Sequence, residues 1–232
     1  MNIKLISITL ILHFLVIHLK AQSTFETDSV KLWQPNTIII FSDFKGDTTN
    51  EKAKKYKDNI GLLASSNVSV GRYLDIPKKK KNRGKMLEKA YFVPRWVKYS
   101  SYSFTTDSFE IAKQRLYFDM AEMICRMARR DIDSIQNYPM KAYGTLYITY
   151  VDIANHYCSK LYEFHRAYTQ EVFVKKEEKA YEKWRAIIDD QLIKLEKYAT
   201  QPMDCQRFIT GQPVDKDYIL SPTIYGELKK CN

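Results

Sequence analysis

Peptide hydrolysis at a helix-borne zinc ion needs two histidines four residues apart, so that both imidazoles leave one face and meet one metal. A glutamate directly after the first serves as general base for the metal-bound water. The segment Lys113–Met123, KQRLYFDMAEM, has the outline of such a helix with its chemistry replaced: Lys113 and Tyr117 stand at the ligand spacing and Gln114 at the place of the base. A lysine ammonium carries three donors and no lone pair, and it repels a divalent cation. A carboxamide cannot take the water's proton at neutral pH. A phenol that ionises near ~10 is a poor zinc ligand.

The other chemistry-bearing residues form no second centre. Beyond residue 21 the histidines are His156 and His165, and at about 100° per residue their spacing puts them on opposite sides of one helix. Interhelix packing and surface solvation are their expected roles. Ser100, Ser101 and Ser103 lack a G-x-S-x-G elbow, and no phosphate-binding loop occurs among the seven glycines. Glu122 and Arg126, at i and i+4, are expected to form a helix-surface pair, with Asp119 solvated nearby. Tyr150, Tyr157 and Tyr168 sit at core-like spacing rather than as a stacking platform.

Positioning these residues requires a β-rich first part and a helical second part. Thr37–Phe41, Ile60–Leu63, Val68–Leu74 and Ala90–Val93 are candidate strands, with Gly84 in a hairpin loop between the last two. From about Ser108 the apolar period becomes helical: Leu116, Met120, Met123 and Met127 recur until Tyr138-Pro139. A second helix is expected from about Ala142 to Ala167 and a third from Lys176 to Ala199. After Thr200 the pattern fades, and residues 200–232 are expected to form an irregular extension. The expectation is one α+β domain over residues 31–199, antiparallel strands followed by three long helices.

Lys4, an apolar run from Leu5 to Leu19 and Lys20-Ala21 have the make-up of a secretory leader over residues 1–21, and the run is shorter than a membrane span. Cleavage after Ala21 removes Lys4 and Lys20 and lowers the net charge from +10 to +8. A secreted or periplasmic protein with no membrane span after cleavage is expected. Part of the charge is local, in Lys78–Lys81, Arg83 and Lys85, which read as a solvated turn. Such a charge favours acidic partners: nucleic acid, anionic glycans or a membrane surface; an acidic envelope polymer or protein is the expected partner, and nucleic acid is not expected. Cys125, Cys158, Cys205 and Cys231 have no CxxC spacing; in an exported chain four cysteines allow three disulfide connectivities, with buried thiols on helices as the alternative. At least one disulfide is expected, Cys205–Cys231 fastening the tail, with Cys125 and Cys158 pairing if the faces of their two helices meet.

Lys113–Met123 followed by Ile124-Cys125-Arg126-Met127-Ala128-Arg129-Arg130 resembles a secreted bacterial family known as domain of unknown function 922. That family is zinc-protease-like, with a helix patterned HEQxHFDxxExxAR. Leu116, Phe118, Asp119, Glu122 and Arg126 keep its non-metal positions or stay close to them. Phe41-Ser42-Asp43-Phe44-Lys45-Gly46 is similar to its W-x-DF-x-G segment. Tyr168 to Val174, then Trp184 and Leu192-Ile193-Lys194-Leu195, resemble its Y-D-x-x-T-x-H segment and terminal helix. The resemblance spans about Lys31 to Tyr198 and implies a zincin-like fold. Val174 falls where the family has its late histidine, so Lys113, Gln114, Tyr117 and Val174 mark a degenerate site. The expectation is a non-catalytic binding or structural module of the cell envelope, with no metal or other cofactor. A hydrolase with unconventional zinc ligands and a basic module for envelope glycans or other polyanions are the alternatives.

Overall fold

The computed structural model describes residues 25–137, 142–224 and 226–231; the leader and the Tyr138-Pro139 stop lie outside them. In chain order the elements are β1 (Val30–Leu32), α1 (Glu51–Ile60), β2 (Ala64–Ser65), β3 (Val68–Pro77), β4 (Lys89–Val97), β5 (Tyr102–Ser103), α2 (Ser108–Gln136), α3 (Thr145–Tyr168), α4 (Ala180–Lys194), α5 (Pro202–Thr210) and β6 (Tyr218–Leu220). The fold is α+β. Its main sheet has the order β1-β4-β3-β6, antiparallel throughout, and β2 pairs antiparallel with β5 in a small second sheet. No helix of the described residues is long and apolar enough to cross a membrane.

Period-two alternation decides what each face of the main sheet covers. Val68, Val70 and Leu74 of β3 and Phe92 and Trp96 of β4 point into the principal core, against Leu116, Met120, Ile124 and Ala128 of α2 and Leu146, Tyr150 and Leu161 of α3. The intervening residues face α5 on the other side. There Val93 joins Leu32 and Cys205, Tyr73 meets the Phe208 ring, and Asp75 receives two 2.8 Å bonds from Arg207. Gly71 is glycine for want of space: a Cβ there would lie 2.0 Å from the Phe208 ring.

The helical pattern starts where a cap allows it. Asp107 Oδ1 accepts from the amides of Phe109 and Glu110, satisfying donors that the first turn of α2 leaves open. Buried on several sides, α2 is the central post of the fold, and α3 and α4 pack against it.

Several expectations change. Thr37–Phe41 forms no strand; the Ile38 carbonyl is taken by Lys31 Nζ, and the chain enters a 3-10 turn at Phe41–Asp43. Ile60–Leu63 is the end of α1 and its left-handed Gly61 cap rather than a strand. The stretch after Thr200 is ordered as α5 and β6. Glu122 and Arg126 do not lie on the surface. Glu122 is fully buried and accepts from Arg126 Nε, the Thr200 amide and the Thr200 hydroxyl, while Arg126 reaches on to Glu196. Burial pushes the Glu122 carboxyl up, against the pull of Arg129, Thr200 and Arg126. Asp119 is also buried, between Trp33 Nε1 at 2.9 Å and Arg185 at 2.6 Å.

The disulfide is Cys158–Cys231, not Cys205–Cys231. The final residues run back over α3, where Asn155 bonds the Glu227 carbonyl and the Lys229 amide, and this delivers Cys231 to Cys158. Cys205 stays a buried thiol on the α5 side of the sheet, with burial pushing its pKa up to about 12. Cys125, also a buried thiol, does not pair with Cys158.

Candidate functional site

Lys113, Gln114 and Tyr117 occupy the first third of α2, and each is tied to a different neighbour. Lys113 pairs with Glu110 at 2.6 Å and lies over the Phe109 ring, while its carbonyl accepts from the Tyr168 hydroxyl. Gln114 is 1% exposed, and its Oε1 accepts at 3.0 Å from both the amide and the hydroxyl of Ser66. Its Nε2 is buried without a partner among the described residues.

Tyr117 sits in an aromatic nest. Its ring packs edge-on against His165 and Tyr168 and parallel to Phe173. The Thr169 hydroxyl donates to the His165 carbonyl, so the Tyr117 hydroxyl, 2.6 Å away, donates to Thr169. Burial holds the Tyr117 phenol above its ordinary range. This packing depends on the turn Thr169–Val174, where α3 widens into a π-helix and carries Thr169 and Phe173 across to α2. Glu171 anchors the turn by accepting from Trp184 Nε1 and pairing with Lys183. Val174, at the far end of the turn, is 42% exposed, and the structure does not bring it into the Tyr117 nest.

His165 links the nest to an open cleft. Its Nε2 lies 3.3 Å from the Tyr117 carbonyl, which can only accept, so that nitrogen carries the hydrogen. Burial pushes its pKa down to about 4, which makes it neutral at pH 7. The cleft beside it has a volume of about 490 Å3 and is walled by α1, β2, the start of β3, the Lys98–Ser100 turn and β5. Tyr56, Tyr99 and Tyr102 contribute rings, and Asn50, Ser66 and Asn67 contribute polar groups. Ser66 is therefore shared: one side lines the cleft and the other holds Gln114.

The Phe41–Gly46 segment builds the rim. Asp43 is buried and accepts from Lys31 Nζ and the Ile40 amide, its carbonyl takes Trp96 Nε1, and Phe44 packs edge-on against Trp96. Gly46 donates to the Ser101 carbonyl, which would lie 2.7 Å from a Cβ at that position. Any side chain there would push the two walls of the rim apart.

Sequence reasoning placed Lys113, Gln114 and Tyr117 on one helix but missed Ser66, Thr169 and the cleft tyrosines as their surroundings. The asparagine cap of α1 was the one local signal available, since Asn50 Oδ1 accepts from the Lys52 amide. His156 lies away from the cleft, with its ring against Tyr157. The Lys78–Lys81 run forms the exposed β3–β4 connection, as the charge pattern implies. Among the described residues no three His, Cys, Asp or Glu side chains converge as a metal-binding group. No protein-family model, curated protein or solved structure matches the chain.

Proposed function

We propose that this chain is an exported, non-catalytic relative of the zinc-protease-like family it resembles, zincin-like in fold, in which the former metal place has become packing and the adjoining cleft binds rather than cleaves. The observation that carries this reading is Gln114. It stands where a general base would stand, yet it is buried, and its only acceptor oxygen holds the amide and hydroxyl of Ser66 in the cleft wall. The residue acts as a strut. Tyr117 supports the same reading, because its hydroxyl is directed to Thr169 and its ring is enclosed by three others. The Cys158–Cys231 disulfide agrees with an oxidising compartment, periplasmic or extracellular.

The test is elemental analysis of protein purified without chelators or a histidine tag. The expected result is far less than one zinc per chain. A value close to one overturns the reading and favours a hydrolase with unconventional ligands. Reversal gives the complementary measurement: Lys113→His, Gln114→Glu and Tyr117→His together should create zinc affinity, read by calorimetry, that the parent lacks. Gln114→Glu keeps an acceptor for Ser66, so circular dichroism should show that the triple variant remains folded.

A further inference from the structure

We infer that the cleft between α1 and the β2–β5 sheet is a binding site for an uncharged saccharide, held by tyrosine rings and by the side-chain amides and hydroxyls of Asn50, Asn67 and Ser100. This deepens the reading above and rests on it. At about 490 Å3 the cleft falls within the roughly 300–1,000 Å3 typical of small-ligand sites.

The charge of the lining decides against ionic ligands. Asp47 and Lys52 oppose each other in sign. Asp47 Oδ1 is already engaged by the amide and hydroxyl of Thr49, and Lys52 lies over the Tyr56 ring. His165 adds a neutral imidazole at pH 7. A polyanion would find Lys52 in the lining and, over the Tyr99 ring, Lys45 already paired with Asp28, whereas the exposed lysines of the β3–β4 connection lie elsewhere.

The backbone decides against a peptide added as a strand, which needs a free row of main-chain donors and acceptors. Here that row is spent internally. The Gly46 amide goes to the Ser101 carbonyl, the Ser66 amide to Gln114, the Asn67 amide to Ser101 Oγ and the Asn67 carbonyl to the Val97 amide. Ser65 and Tyr102 face each other in the β2–β5 ladder.

Side chains are what remain for a ligand. Among the described residues, the side chains of Asn67 and Ser100 and the Tyr56 hydroxyl form no hydrogen bond, and Asn50 uses its Oδ1 but not its Nδ2. Amides and hydroxyls both donate and accept, as each sugar hydroxyl does. Tyr56 and Tyr99 are 41% and 55% exposed; Lys52 lies over one ring and Lys45 over the other, which leaves one face of each ring for the C–H side of a sugar. Tyr99 is held by its hydroxyl on Asp28 at 2.5 Å, so its ring is already oriented.

The experiment is calorimetric titration of the full mature chain with four probes of equal length: hexamers of β-1,4-linked glucose and β-1,4-linked N-acetylglucosamine, hexagalacturonate, and a neutral hexapeptide. Saturable binding to at least one neutral hexasaccharide, and to neither of the other two, is the expected result. Tyr56→Ala and Asn67→Ala should each weaken it at least about tenfold, with unchanged circular dichroism. Failure of both neutral hexamers to bind, tighter binding of the uronate or the peptide, or indifference to both substitutions overturns the proposal. Zinc content is measured on the same sample. A metal-free protein that ignores the sugars rejects only the ligand class, whereas one zinc per chain rejects the reading of the site itself.

Discussion

Removing the Cys158–Cys231 disulfide should destabilise the fold by an amount set by the loop it closes. The two cysteines are 73 residues apart. In the chain-entropy account a loop of that length raises folded stability by about 4 kcal/mol, through the freedom it denies the unfolded chain. For a domain of this size the loss corresponds to a fall in Tm of about 8–16 °C. The appropriate variant is Cys158→Ala with Cys231→Ala. Replacing Cys231 alone would leave Cys158 beside Cys125, because all three cysteines line one small cavity together with Arg72. A Cys125–Cys158 bond closes less than half the length, and the logarithm then recovers all but roughly 0.7 kcal/mol. Urea unfolding of parent and double variant, without reductant, measures the difference. Equal midpoints, or four free thiols in the unreduced parent by mass spectrometry, would refute the reasoning.

The buried Asp75–Arg207 pair should cost about 3–5 kcal/mol when one partner is removed, as in Arg207→Met, because a buried carboxylate is left uncompensated; Asp75→Leu with Arg207→Met should recover most of that in chemical denaturation. Gly71→Ala should lower stability by about 1–3 kcal/mol through its clash with the Phe208 ring, and adding Phe208→Ala should make the glycine replacement nearly neutral by comparison. His165 should contribute an acid-labile component: its folded pKa lies near 4, below the ordinary value of about 6.5, so the unfolded chain binds the extra proton between them and stability falls as pH drops through that window. His165→Gln should flatten that limb of the stability profile, and an unchanged slope between pH 6.5 and 4 would show that the imidazole is not desolvated.

The parts of the fold that were legible in the sequence are those where one element's own pattern determines its environment. The apolar recurrence through Leu116, Met120 and Ile124, and its counterparts in α3 and α4, marked three helices because each buries a face in one core. The hairpin of β3 and β4 was legible for the same reason. By contrast α1 buries only Ala53, so EKAKKYKDNI carries no apolar stripe to announce it. The pair Glu122 and Arg126 has the same spacing whether it faces water or the core, and only the return of Thr200 and Glu196 shows which applies. The disulfide was misassigned because nearness in sequence suggested Cys205, while the contact is made by a tail folding back onto a helix formed much earlier in the chain. At the site, the identities of Lys113, Gln114 and Tyr117 were legible, but Ser66, His165 and Thr169 reach them from about fifty residues away.

The order β1-β4-β3-β6 gives both borders of the main sheet to segments from opposite ends of the described chain. The residues of the β3–β4 hairpin are synthesised long before Tyr218–Leu220. Until then the outer rim of β3 is an open template for another strand. A chain halted or clipped before residue 218 would keep that rim, and it would also lack the latch at Cys231. Truncation at the tail is therefore expected to yield sticky, self-associating material rather than a smaller soluble domain.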